Sequence, residues 1–309
     1  MLTRETAGGL YGIPPTPFTK DGAFDEAAFR ANCQAHIAAG VDGIAITGSN
    51  GEFHTMPWEM HKQVIKAFIE ECQGKIHTIV SCSGVYTEEA IDHVKFARDT
   101  GADAVMNVAP YYVPLTNTEL VTFWNHVMHA VPDIGFFIYN NPGTTQMMHT
   151  PAIYAQIKAE NPNFIGTKEG HGNMPTMVEL LRDSEIAYLT AADLKLSVST
   201  LQLGGRGLFS MSASVFPKYL VKFYKTCKAG KWDEAIKMQY RLEEGYQSLA
   251  DLPELSSLNM MARFKAMCTA GGVLSCGKSR EPILTASDEQ QKVLNKFVQE
   301  TCADLVNPD

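Results

Sequence analysis

The seven cysteines of this 309-residue chain, Cys33, Cys72, Cys82, Cys227, Cys268, Cys276 and Cys302, are scattered, odd in number and form no CxxC. Neither a disulfide framework nor a zinc ribbon fits that pattern, so reduced thiols in a cytoplasmic protein are expected. The nine histidines include no HExxH, and His54 and His61 flank only Glu59 at a spacing unsuited to a helical ligand pair. No metal site is therefore expected. The net charge is −8 with no basic block, which argues against nucleic acid as a partner. No apolar run reaches the roughly 18 residues of a membrane span, and MLTRETAGGLYG at the start lacks a signal-peptide core. No GxGxxG follows the first apolar segment, which weakens the case for an open dinucleotide-binding sheet. There is no low-complexity stretch and no linker.

What is present is an ordinary globular composition, 45% hydrophobic and 19% charged, in a chain long enough for one large barrel or two domains. Short apolar runs predict strands at 9–18, 43–49, 77–84, 104–112, 135–142, 164–170, 187–193 and 207–214. Between them lie segments with helical i, i+3, i+4 spacing, such as 57–72, 87–101 and 116–131. Pro57 suits a first helical turn, Thr87 and Thr116 suit N-caps, and Gly40, Gly101 and Gly205 suit helix ends. Eight β-then-α units across 1–230 predict a closed (β/α)8 TIM barrel, with an open doubly wound sheet as the alternative. From 231 to 309 the pattern is helical only (231–250, 256–272, 286–306), and an appended C-terminal helical bundle is expected there.

In such a barrel chemistry sits at the carboxyl ends of the strands. That rule gathers Gly48-Ser49-Asn50-Gly51-Glu52, Tyr111-Tyr112, Tyr139-Asn140-Asn141-Pro142 and Lys168-Glu169 on one rim. The segment FIGTKEG (164–170) is the most telling, because lysine is depleted in strands. Burial disfavours an ammonium, and a free amine can attack a carbonyl to form a Schiff base. The protonated imine is an electron sink that stabilises a carbanion on the next carbon. A tyrosine nearby can move protons, and the turn at 48–51 offers donors to a small carboxylate. Taken singly, a strand-end lysine is more often solvated, a tyrosine more often part of the core, and GSNGE an ordinary turn. LGGRG (203–207) could cradle a phosphate, but its place before the last strand favours a helix stop on the opposite face. Met147, Met148, Met260 and Met261 read as packing residues.

Together, GIPPTPF, GSNGE, PYY (110–112), YNNP (139–142), GTKEGHGN (166–173), QLGGRG (202–207) and NMMARFKAM (259–267) resemble the dihydrodipicolinate synthase / N-acetylneuraminate lyase family across nearly the whole chain. The resemblance implies a Schiff-base lyase or aldolase that joins pyruvate, or another 2-oxo acid, to an aldehyde. It implies no cofactor, and a homodimer or homotetramer. It makes Lys168 the Schiff-base lysine and Tyr139 the proton-moving tyrosine. Tyr112, expected to aid Tyr139 in proton transfer, falls where the synthases carry a tyrosine across the tight-dimer interface. Gly48, Ser49 and Asn50 match the carboxylate-binding turn, and Phe209 matches a pyruvate-pocket residue. Asn50 stands where the family has a threonine, and an amide relays protons poorly. Thr144 stands where the synthases hold the second substrate's carboxylate with an arginine. The first departure argues against a hydroxyl-to-hydroxyl proton chain, and the second against dihydrodipicolinate synthase activity itself. A dehydratase or deaminase using the same imine, and a non-catalytic binding barrel, remain open as alternatives.

Overall fold

The apolar runs form strands because each is buried on both faces, against the barrel interior and against the helices outside. In a computed structural model, which describes residues 1–183, 185–192 and 194–308 (Ala250 by its backbone alone), they close into one ring. The strands are β1 (Gly9–Gly12), β2 (Gly43–Ile46), β3 (His77–Val80), β4 (Ala104–Asn107), β5 (Gly135–Asn140), β6 (Phe164–Glu169), β7 (Ala187–Thr190) and β8 (Gly207–Ser210). They pair in sequence order, and β8 returns to β1 in parallel register with Gly9 opposite Gly207. The closed barrel is thus the architecture, and the open sheet is excluded.

The strands are shorter at their carboxyl ends than the apolar runs. Pro14, Pro15 and Pro17 remove most ladder donors beyond β1, and after β4 the Val108 N–H is taken by Ser83 Oγ at 3.0 Å before Pro110 is reached. Tyr111 and Tyr112 consequently lie in the loop after β4 and not at its end. Residues 212–214, expected as strand, belong instead to a helical turn, Ser212–Val215. Asp193, the last residue of the expected strand 187–193, lies outside the described residues.

Helix ends follow local chemistry. Thr116 caps Asn117–Ala130 in a full capping box with Glu119, whereas Tyr86 precedes Thr87–Thr100 and Thr87 is its first helical residue. Gly101 ends that helix at φ +102°. At the helix Ser197–Gln202 the left-handed residue is Gly204, φ +101°, one position before the glycine expected there.

Inside the ring, Tyr11, Phe137 and Phe209 are fully buried. Phe209 lies 5.0 Å from Tyr11 and 5.6 Å from Phe137 between ring centroids. Aromatic pairs of this kind contribute about 0.5–1.5 kcal/mol each beyond area burial. They make a solid floor rather than a pore. Gly166 is required beside that floor: a Cβ there would stand 2.6 Å from Phe137 Cε1 and 2.7 Å from the Ala187 carbonyl oxygen. The β5–β6 register also shifts here, Phe136 pairing with Phe164 and Phe137 with Gly166, which leaves Ile165 as an extra residue.

The C-terminal segment is helical over Trp232–Ala250, Met260–Ala270, Asp288–Thr301 and Ala303–Val306. It is tied back to the barrel's first loops. Asn32 exchanges hydrogen bonds of 2.8 Å with the backbone of Ser275, and Gly277 bridges to Phe18.

Candidate functional site

Strand alternation separates the last residues of β6 by face. Thr167 and Glu169 point outward, toward the helices, and Lys168 points into the mouth of the barrel. Outward, the Glu169 carboxylate is fully enclosed. Its Oε1 accepts from Tyr154 at 2.6 Å and from Thr167 at 2.5 Å, and its Oε2 accepts from Asn140 at 2.8 Å and lies 2.6 Å from His171 Nε2. Three hydrogen-bond donors, Tyr154, Thr167 and Asn140, satisfy this buried carboxylate and hold the end of β6 in place.

Inward, Lys168 is 3% exposed, so it does not simply reach water. β5–β6 pairing sets Tyr139 directly opposite it. The lysine Nζ sits 3.9 Å from the centroid of the Tyr139 ring and 5.5 Å from that of Phe209. Burial pushes the Tyr139 phenol up to about 12, partly offset by its hydrogen bond with Ser49, so the hydroxyl keeps its proton at neutral pH.

A cavity of about 700 Å³ opens above the lysine. Gly48, Ser49, Asn50, Tyr139, Thr144 and Lys168 all line it. Phe209 lies in the floor beneath the lysine and is fully buried. Tyr112 is 86% exposed and lines a separate groove with Val85, Tyr86, Val113 and Leu115; within one chain it does not meet Lys168. The tyrosine of that loop that reaches the lysine cavity is Tyr111. Met260 and Met261, read from sequence as packing, also stand in its wall, together with Phe53, His54 and Met211. No local pattern announces Met211, Met260 and Met261, because the end of β8 and the helix Met260–Ala270 bring them there from far along the chain. LGGRG, by contrast, lies at the amino end of β8, where the Arg206 guanidinium binds the carbonyls of Arg4 and Glu5. Among the described residues no three His, Cys, Asp or Glu side chains converge to hold a metal ion.

The turn GSNGE is strained at both ends and clamped at both. Thr47 (φ +54°) and Glu52 (φ +57°) are left-handed, a conformation that costs a non-glycine residue about 1 kcal/mol or more. Thr47 Oγ1 donates to the Ser81 carbonyl at 2.7 Å, and Thr16 Oγ1 donates to that of Gly51 at 2.7 Å. Glu52 is 1% exposed and pairs at 2.8 Å with Lys265, itself 3% exposed, from the C-terminal segment. Lys265 also donates to the Thr16 carbonyl at 2.8 Å, and the Arg280 N–H donates to the other Glu52 oxygen at 3.0 Å. Burial lowers the Lys265 pKa, and Glu52 opposes that shift. Between them Ser49–Gly51 form a single 3-10 turn facing the lysine cavity.

Residues 6–301 match the Dihydrodipicolinate synthetase family, and the chain belongs to it. Members are class I Schiff-base lyases, and this protein is an enzyme of that class. It is 29% identical over 296 residues to a 4-hydroxy-tetrahydrodipicolinate synthase of Methanocaldococcus jannaschii, covering 94% of this chain and 98% of the relative. It is 30% identical over 246 residues to the enzyme of that name from Methanospirillum hungatei, covering 78% and 83%. Among solved structures, the dihydrodipicolinate synthase from Acinetobacter baumannii, complexed with pyruvate, is 25% identical, with a TM-score of 0.86 over 96% of this chain and 99% of that one. A sialic acid aldolase of Ruminococcus gnavus shares the fold at 23% identity and a TM-score of 0.89, covering 98% of each chain.

Removing one partner of the Glu52–Lys265 pair leaves a charge buried alone. Lys265→Met is expected to cost about 3–5 kcal/mol in urea unfolding. The Glu52→Gln, Lys265→Met double variant is expected to cost much less than the sum of the two single changes. Strictly additive costs would show that the pair does not act as a unit.

Proposed function

We propose that this enzyme forms or cleaves the C3–C4 bond of a 4-hydroxy-2-oxo acid, joining pyruvate to an aldehyde through an imine on Lys168. The observation that carries this reading is the placement of a buried lysine against a buried tyrosine, under a clamped turn of donors, in one cavity. Family membership and a solved relative complexed with pyruvate support the same substrate.

In the synthetic direction the pyruvate carboxylate docks at Ser49, Asn50 and the turn's backbone N–H groups. Lys168 Nζ attacks C2, and loss of water leaves a protonated imine. Tyr139, left as a phenolate after protonating the departing water, takes a proton from C3, and the electron pair moves toward the iminium nitrogen to give an enamine. The enamine carbon attacks the aldehyde carbon. The carbonyl π pair becomes an alkoxide, which takes a proton from the Tyr139 hydroxyl. Water then adds to the imine, releasing the 4-hydroxy-2-oxo acid and the lysine amine. Cleavage is the same sequence reversed.

Thr144 supports a partner other than that of the synthases. Its hydroxyl donates to the Asn141 carbonyl at 3.1 Å, and the described cavity wall holds no arginine to fork a second carboxylate. Borohydride added with pyruvate is expected to leave a reduced adduct on the Lys168 peptide, visible by mass spectrometry. Lys168→Ala is expected to abolish it, and Tyr139→Phe to slow turnover about 10²–10⁴-fold while still allowing imine formation. An unlabelled Lys168 in folded protein would overturn the proposal.

Assembly belongs to the same reading. Tyr112, Val113, Tyr86 and Val85 are 86%, 62%, 57% and 43% exposed around one groove, an apolar face suited to a second copy of the chain. Sedimentation is expected to show a dimer or a dimer of dimers, with Tyr112→Glu shifted toward monomer. A wild-type monomer at full activity would contradict it.

A further inference from the structure

The lysine cavity is apolar over most of its wall. Phe53, Met106, Val108, Met211, Met260 and Met261 line it, and Lys168 is the only charged side chain among its described lining residues (histidine taken as neutral). Beyond the 48–51 turn and Tyr139, its polar lining side chains are His54, Tyr111, Asn141 and Thr144, of which His54 and Thr144 are exposed. A second cavity of about 590 Å³ shares Ala191, Met211 and Met260 with the first. It runs on toward the C-terminal segment, where Leu249, Leu258, Phe264 and Met267 face it. Its wall also holds two cations, Lys195 and Arg263, each with a partner of its own. The Arg263 Nε donates to the Leu258 carbonyl at 3.0 Å, and the Lys195 side chain is 74% exposed beside Glu243.

We propose that the aldehyde partner is uncharged and apolar, an alkyl or aryl aldehyde whose tail passes Met211 and Met260 and ends against Leu258, Phe264 and Met267. This rests on the imine reading above and names the substrate class of that same site. An aldehyde carrying a carboxylate beside its carbonyl meets no second cation in the lysine cavity once the lysine is committed to the imine. A polyhydroxylated aldehyde must give up water for a wall of thioethers and phenyl rings that returns few hydrogen bonds. Methionines adapt to alkyl and aromatic shapes alike. Each methylene that enters the second cavity is worth about fourfold in affinity, the equivalent of about 0.8 kcal/mol.

The test is a panel of aldehydes offered to the full-length enzyme with saturating pyruvate. It comprises butanal, hexanal, octanal and benzaldehyde against glyceraldehyde and succinic semialdehyde, with product 4-hydroxy-2-oxo acid followed by mass spectrometry. The expected result is a kcat/KM that climbs about fourfold per added methylene along the alkyl series, with both polar aldehydes at least about tenfold below hexanal. Ala192→Phe fills only the second cavity. It is expected to flatten the chain-length dependence while borohydride still traps pyruvate on Lys168. If pyruvate is trapped but glyceraldehyde or succinic semialdehyde is preferred, or no apolar aldehyde reacts, this inference is overturned and the imine reading stands. If pyruvate is not trapped, both fall together.

Discussion

The site depends on a single constraint of barrel geometry: on adjacent parallel strands, residues in register point the same way. Because β5 and β6 pair with Tyr139 opposite Lys168, the two side chains must share the barrel mouth. The same alternation sends Glu169 outward, where Tyr154, Thr167, Asn140 and His171 enclose its carboxylate. One face of the β6 end is thus fixed by buried polar contacts while the other presents an amine. The floor of Tyr11, Phe137 and Phe209 closes the interior below it, so the lysine can only reach upward into the cavity.

The second structural requirement is a turn held in an unfavourable backbone shape. Left-handed Thr47 and Glu52 bracket Ser49–Gly51, and each is restrained by contacts from elsewhere in the chain. The Glu52–Lys265 pair makes the C-terminal segment part of the active region even though Lys265 does not line the lysine cavity. Met260 and Met261, at the start of the same helix as Lys265, do line it. One helix therefore braces the turn from one side and supplies apolar wall from another.

Much of this was legible in the sequence, for identifiable reasons. Alternating β-type and helical periodicities imply the ring, since each parallel strand needs a crossover helix. A lysine following Phe164-Ile165-Gly166 at a strand end marks the amine. Strand ends were less legible: the loops beyond β1, β4 and β8 are themselves apolar because they line a cavity, so hydrophobicity overruns the ladder there. The choice between Tyr111 and Tyr112 is made by the path of the chain after Pro110, which no periodicity encodes. Nor does any local pattern join Glu52 to Lys265 or bring Met211 beside Met260. Those are long-range contacts between residues that, taken alone, read as an ordinary surface acid, a helical lysine and packing methionines.

The central claim is that the Lys168 nitrogen forms a covalent bond with substrate inside this cavity. A crystal of the wild-type enzyme soaked in pyruvate would test it most directly. The account predicts continuous density from Nζ to C2 of the bound acid, with the carboxylate against Ser49 and Asn50 and the methyl carbon facing the methionine wall. Pyruvate bound away from Lys168, or a lysine left unmodified beside an occupied cavity, would contradict it.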